Sequence, residues 1–358
     1  MTLKYRMRVT GAIAIGAIFL CTGIASAEVR PKKLLLNASG STFIFPIESA
    51  WSNVYEKSNP NLRINYQPIG SGGGIGQLMQ QMTDFAGSDA PLTDAQLAKA
   101  PARILHFPAA LGADVVAYNL PKIVPPARLR LTGPVVADIF RGKITKWNDP
   151  AIAVLNPALK LPAIDVVACH RSDGSGTTYI FTDYLSKVSP DWEKEIGKGT
   201  SVKWPVGAEA NGNQGVTDLL THTPGAIAYV EQTYAVEAKL AFAQIQNSAG
   251  EWIDPDLKSI TIAANDSMND LPADFRGSIT NAPGAGAYPL SSYTYFLVYE
   301  HPRDLAKAAA TRDFIGWVLR DGQTYSMQLH YAPLPEAIIK REEAQLDLIA
   351  PPAQARAR

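Results

Sequence analysis

The chain has 358 residues, 33 Lys and Arg balanced by 33 Asp and Glu, and only 2 cysteines. That length exceeds what one hydrophobic core usually serves, so two domains are expected. The balanced charge does not indicate a basic groove for nucleic acid.

Residues 1–27 read as an export signal. Lys4, Arg6 and Arg8 precede an apolar stretch from Gly11 to Ile24, and Ala25-Ser26-Ala27 supplies small residues for cleavage after Ala27. The mature chain is therefore expected in the periplasm. Leu20, before Cys21, is bulkier than a lipidation site favours, and no later run approaches the about 20 apolar residues of a membrane span. Cleavage takes three basic residues and no acidic ones, so 33 minus 3 leaves 30 against 33, a net charge of about −3. An anion site in this chain must then work through local donors rather than overall attraction. Cleavage also removes Cys21, leaving Cys169 without an internal disulfide partner and expected to pack in a strand.

In chain order, Leu34–Leu36 is a short strand, Asn37–Thr42 a polar loop, and Pro46 opens a helix whose buried stripe is Ile47, Ala50, Trp51 and Val54. Arg63–Gln67 alternates like a strand. Gly70-Ser71-Gly72-Gly73-Gly74 leads into Ile75, Leu78, Met79 and Met82 at helical spacing. Phe85–Ser88 is a strand ending at Asp89, and Thr93 with Gln96 forms a capping box. Phe107–Leu120 is an apolar strand region, followed by a connector to Pro126 where the chain crosses between lobes. Helices are expected at 135–140 and from Trp147 to Asn156, and a strand at Ile164–Cys169. The stretch Trp204–Gly215 reads as a polar loop, and Ala226–Val230 as a buried strand. Residues 265–287 read as irregular, Pro289–Glu300 as a strand, and Leu305–Arg320 as a helix stopped by Gly322. Residues 350–358 form a loose tail. Strands alternating with helices make this an α/β protein.

The most informative stretch is Arg171 to Thr178. It joins the strand ending at Cys169 to a helix whose apolar residues are Phe181, Tyr184, Leu185 and Val188. The first turn of a helix carries unpaired N–H groups and positive dipole potential, so this junction can hold an anion. Ser175, Thr177 and Thr178 add hydroxyls, and Arg171 adds a planar fork suited to two oxygens of an oxyanion. The same residues also fit an ordinary capped helix, and Gly72–Gly74 also fits a flexible connector. Three such loops, each entering a helix, point to several N-termini converging on one ligand.

Taken together, Gly40–Phe43, Tyr66–Gly74, Asp84–Leu92, Gly142–Asp149, Arg171–Thr177 and Pro224–Glu231 resemble, in order, the phosphate-binding proteins of bacterial phosphate ABC transporters. The resemblance implies a type II-like periplasmic binding protein fold. Two lobes, each a central sheet flanked by helices, would be joined by two crossovers forming a hinge. Lobe I would comprise 28–112 plus 288–349, and lobe II 113–287. Carried over residue by residue, the ligand groups would be Thr42, the Phe43 N–H, Ser71 and Asp89 from lobe I. Lobe II would give Arg171, Ser175, the Gly176 N–H and Thr177, with Asp173 orienting Arg171. Differences from the family at Ser41, Gly72 and Gly87 spare those positions. The implied partners are inorganic phosphate and the membrane permease and ATPase subunits of a transporter. A monomer with no cofactor and no metal is expected.

By residue type alone Asp89 is a turn or cap residue before Pro91. The resemblance makes it the selectivity element. A carboxylate can accept the proton of hydrogen phosphate, whereas sulfate has none and would leave like charges unpaired. A secreted hydrolase is poorly matched: there is no G-x-S-x-G or H-E-x-x-H, and His170 at a strand end reads as a packed or solvated residue rather than a base. A binder of another oxyanion, or a phosphate-loaded signalling protein of this fold, remains open at this level.

Overall fold

The structure, a computed structural model, describes residues 33–121, 123 and 127–349. The expected signal at 1–27 and tail at 350–358 lie outside those residues, and the connector after Leu120 is described only in part.

The chain opens with β1 (Leu34–Gly40), α1 (Phe45–Ser58), β2 (Leu62–Gln67), α2 (Ser71–Met79) and β3 (Phe85–Ser88). Pro46 lies in the first turn of α1, where no partner for its nitrogen is needed, and Ile47 and Trp51 are buried as expected. β1 extends four residues further than expected, to Gly40, because β2 and β3 pair along its two edges. Met82, expected on α2, lies beyond its end: Gln81 takes a left-handed φ of 57°, and Met82 is 62% exposed.

Next come α3 (Asp94–Leu97), with the expected Thr93–Gln96 capping box, and β4 (Ile104–Tyr118), buried throughout. β5 (Arg130–Leu131), α4 (Gly133–Phe140) and α5 (Pro150–Ala153) lead to β6 (Val167–Arg171), α6 (Gly176–Val188) and α7 (Pro190–Glu195). The stretch expected as loop instead holds β7 (Ala208–Ala210) and the first turn of α8 (Gly212–His222), since β7 gains the edge of β6. β8 (Ala226–Glu231), α9 (Gln232–Glu237), β9 (Ala241–Phe242), β10 (Gln244–Gln246), β11 (Trp252–Ile253) and α10 (Leu257–Asp266) follow. The chain then runs through β12 (Ser291–Tyr299), α11 (Leu305–Leu319) and α12 (Glu336–Leu346). Gly322 is not the stop of α11. It opens a 3-10 helix, Gly322–Leu329, and its carbonyl accepts from Trp51 Nε1 at 2.7 Å.

The main sheet runs β2-β1-β3-β12-β4-β8-β6-β7, with β9 also on β4. β4 serves two groups of strands. Its first part, Ile104 to Ala113, lies antiparallel to β12, and Asp114 to Tyr118 lies antiparallel to β8. On one side β1, β2 and β3 are parallel, and on the other β6, β7 and β8 are parallel. This is the expected two-lobed α/β arrangement. The carboxyl ends of β1, β2, β3 and β6 carry the loops singled out above, the usual place for a ligand in an open parallel sheet. Cys169 is buried in β6, where burial raises its thiol to about 11.

Candidate functional site

Asp89 stands at the end of β3 and is 1% exposed. Ser41 Oγ donates to its carboxylate, lying 2.7 and 2.6 Å from the two oxygens, and Thr294 Oγ1 donates at 2.7 Å. Ser71 Oγ lies 3.4 Å away. Burial raises this carboxyl to about 6, against the lowering effects of Ser41, Thr294, the Arg171 charge and Ser71.

Arg171 closes β6, with its side chain 1% exposed. Its Nε and Nη2 form a fork on Asp173 at 2.7 and 2.5 Å, and Nη1 donates to Thr177 Oγ1 at 3.2 Å. Burial acts to raise Asp173, but the bonds and charge of Arg171 outweigh it and hold the carboxyl below its ordinary value. The Gly212 N–H also donates to Asp173 Oδ1, at 3.0 Å.

The N-termini of α2 and α6 meet head on. The Gly176 N–H donates to Ser71 Oγ at 3.1 Å, and the Gly72 N–H to the Gly174 carbonyl at 2.8 Å. Only glycine fits at 176, because a Cβ there would lie 2.4 Å from Asp89 Oδ2. Ser175 caps α6 by accepting the Thr178 N–H at 3.0 Å, so its hydroxyl is the capped-helix reading realised.

Thr42 Oγ1 accepts from Asn213 Nδ2 at 2.9 Å, and the Phe43 N–H donates to Ser41 Oγ at 2.9 Å. Three tyrosine hydroxyls pin this loop by donating to its carbonyls: Tyr66 to Ser41, Tyr234 to Thr42 and Tyr331 to Phe43.

The structure thus gathers Thr42, Phe43, Ser71, Asp89, Arg171, Asp173, Ser175, Gly176 and Thr177 into one buried network. Sequence reading missed four members. Ser41, set aside as a neutral difference, bridges Asp89 and the Phe43 N–H. Thr294 comes from β12, 205 positions from Asp89. Asn213 lies in the stretch read as loop, although Asn211-Gly212 is a readable helix start. Tyr229 donates to or accepts from Thr178 Oγ1 at 2.7 Å and accepts the Arg171 N–H at 3.2 Å. His170 stacks on Trp204 with centroids 4.7 Å apart and burial lowers its pKa, so of the two readings, packed or solvated, it is the packed one.

Behind Arg171, Asp114 of β4 lies opposite Glu231 of β8, and both are fully buried. Burial lifts Glu231 to about 8 despite the donors of Thr233, and lifts Asp114 well above its ordinary value, helped by the charges of Asp89 and Glu231. A carboxyl raised in the folded state stabilises most below its unfolded value and loses that contribution as pH climbs through the folded one. For Glu231 the window runs from 4.5 to about 8. Glu231→Gln should therefore gain on the native chain by up to about 4 kcal/mol between pH 5 and 9. Urea unfolding of both proteins at the two pH values checks this, and an unchanged difference would refute it.

Hydroxyls, N–H groups and one guanidinium gathered about the buried Asp89 carboxylate offer the donors and the acceptor that a protonated anion requires. A model of the PBP superfamily domain matches residues 25–322, which places the chain in the class of two-lobed binding proteins. The phosphate-binding protein PstS of Xylella fastidiosa (strain Temecula1) is 44% identical over 319 residues, 89% of this chain and 86% of that protein. PstS of Pasteurella multocida (strain Pm70) is 40% identical over 329 residues, covering 92% and 94%. The chain belongs to the PstS family of phosphate-binding proteins. Its fold is similar to the crystal structure of a phosphate binding protein from Stenotrophomonas maltophilia, with a TM-score of 0.64 at 17% identity, covering 87% of this chain and 93% of that one. Among the described residues no helix is long and apolar enough to cross a membrane.

Proposed function

We propose that this chain binds inorganic phosphate in the periplasm and delivers it to the permease and ATPase subunits of a phosphate ABC transporter. The observation that carries the reading is the pairing of one buried acceptor, Asp89, with the donors of Arg171, Ser71, Thr42, Thr177 and the Gly176 N–H. A dehydrated phosphate needs many donors for its oxygens and one acceptor for its proton. Phe43 and Ser175 complete the proposed ligand set through the backbone N–H and the hydroxyl, and Asp173 holds the Arg171 fork. Membership of the PstS family supports the same ligand.

The proposed lobes, 28–112 with 288–349 and 113–287, are supported by the hand-over within β4 at Asp114 and by the start of β12 at Ser291. Closure of such lobes would present both to a permease at once, and a monomer suits that shuttle. The protein is a carrier rather than an enzyme in this reading, with cleavage after Ala27 releasing it from its export signal.

Calorimetric titration of residues 28–358, stripped of ligand by mild unfolding and refolding, tests the proposal. Phosphate should bind one to one near micromolar or tighter, and sulfate should give no heat. Native protein without phosphate heat would end the phosphate reading. The role of Asp89 has its own test. Asp89→Asn removes the like charge that repels sulfate, so sulfate should begin to compete with phosphate, narrowing discrimination by about a hundredfold. If sulfate still failed to compete, Asp89 would not be the selectivity element.

A further inference from the structure

We infer that Asn213 is a positioning residue of this site, one that fixes the Thr42 and Thr177 hydroxyls as obligate donors to the bound anion. The inference rests on the phosphate reading and deepens it.

Asn213 is fully buried in the first turn of α8. Its Oδ1 accepts the Glu231 N–H at 3.0 Å, and that bond assigns the amide orientation, since a turned amide would set two donors face to face. Nδ2 is thereby aimed at the loops, 2.9 Å from Thr42 Oγ1 and 3.1 Å from Thr177 Oγ1. An amide nitrogen has two hydrogens, and these two oxygens take both.

Each hydroxyl oxygen has a second donor as well. The Asn213 N–H reaches Thr42 Oγ1 at 3.2 Å, and Arg171 Nη1 reaches Thr177 Oγ1 at 3.2 Å. A hydroxyl oxygen has two lone pairs, so both are occupied on each threonine. None of these neighbours can accept in return: an amide NH₂, a backbone N–H and a guanidinium are donors only. The two hydroxyl protons must therefore point to some other acceptor, and a phosphate oxygen between the loops is one that takes both.

Polarity across the site follows. At the Thr42–Thr177 end every group donates, so the ligand must present bare oxygens there. Its proton is directed to the Asp89 end, where the carboxylate accepts. Asn213 thus sets which way round the anion is held. It also links a loop following β1 to one following β6, so its contribution is available only when the two loops are together.

Phosphate titrations of the mature native chain, Asn213→Asp and Asn213→Ala test this, with thermal unfolding run beside them. Asn213→Asp replaces the donor pair by a carboxylate that accepts both hydroxyl protons and turns them from the anion. Its affinity should fall by about a thousandfold at pH 8, against about tenfold for Asn213→Ala. Relative to the native chain at each pH, the aspartate variant should recover towards the alanine value as pH drops to 5 and its carboxyl protonates, while the alanine variant should not change. A merely structural role would give no such pH split.

A double-mutant cycle with Thr42→Val keeps the question open to refutation should Asn213→Asp fail to fold. If Asn213 acts through the two hydroxyls, adding Asn213→Ala to Thr42→Val should cost less affinity than Asn213→Ala costs alone, because only the Thr177 share is left to lose; additive losses would overturn the inference. An aspartate variant that binds within threefold of the native chain would overturn it too, while leaving phosphate binding intact. A native chain that does not bind phosphate overturns the functional reading itself.

Discussion

Arg171→Met is expected to lower phosphate affinity by at least about a hundredfold and to destabilise the ligand-free protein by about 3 kcal/mol. The two effects have separate causes. Affinity falls because the guanidinium, with its side chain 1% exposed, is the only cation among the proposed ligand groups, and charge-assisted bonds contribute about 1.5–3 kcal/mol each. Stability falls because Asp173, whose side chain is only 11% exposed, loses the fork that holds it ionised. Breaking a buried pair from one side costs about 3–5 kcal/mol, and the remaining donor from Gly212 places this case at the lower end. The causes can be separated. Arg171→Met combined with Asp173→Asn leaves no orphaned charge, so most of the stability should return while affinity stays low. Urea unfolding and phosphate titration of both variants check this. A single variant that still bound phosphate within threefold of the native chain would remove Arg171 from the site.

Which parts of this site were legible in the sequence follows from the reach of local patterns. Thr42, Ser71, Asp89 and Arg171 to Thr177 each lie within a few residues of a strand-to-helix junction, where glycines, hydroxyls and an apolar repeat appear together in one window. Thr294 carries no such mark. It sits in the middle of β12, fully buried among Tyr293, Tyr295 and Phe296, and only the tertiary fold brings its hydroxyl to Asp89. Asn213 was hidden for another reason: β7 has 3 residues, too few for alternation to register, so the helix behind it was read as loop. The 6-residue α9 escaped in the same way, although it delivers Tyr234 to the Thr42 carbonyl. Ser41 was visible but misjudged, because its role depends on a carboxylate 48 positions away. Asp114, a charge inside the apolar run of β4, was a readable anomaly whose partner across the sheet, Glu231, emerges only from strand register.

The second large effect lies in the middle of α6. Asp183 is buried, its side chain 0% exposed, between Lys187 at 3.1 Å and Lys198 at 2.5 Å. Ser278 Oγ and Thr280 Oγ1 also donate to it, each at 2.6 Å. Burial acts to raise this carboxyl, but the charge of Lys187, the bond from Lys198 and the two hydroxyls overcome it and hold the value at about 2 against an ordinary 3.8. The segment that carries Ser278 is anchored on its other side as well: Arg276 Nη1 donates to the Leu92 carbonyl at 2.9 Å and to Asp94 at 2.7 Å. Tyr295 OH donates to the Gly277 carbonyl at 3.0 Å. Asp183 therefore ties the helix that begins at the Arg171 loop to the stretch just after Asp89. Because its folded value is depressed, its contribution is present above about 4 and is lost as pH falls through about 2. Asp183→Asn should cost about 2–3 kcal/mol at pH 7, what a carboxyl held at about 2 against 3.8 corresponds to at about 1.4 kcal/mol per pH unit, and less than a fully buried pair because both lysines are partly exposed and stay solvated. The native chain should then lose this advantage on acidification, so the two proteins converge between pH 4 and pH 2. Chemical unfolding at pH 7, 4 and 2.5 measures the gap. A difference under about 0.5 kcal/mol at pH 7, or one that persists undiminished at pH 2.5, would mean that the four donors do not hold Asp183 as a carboxylate in the way the geometry requires.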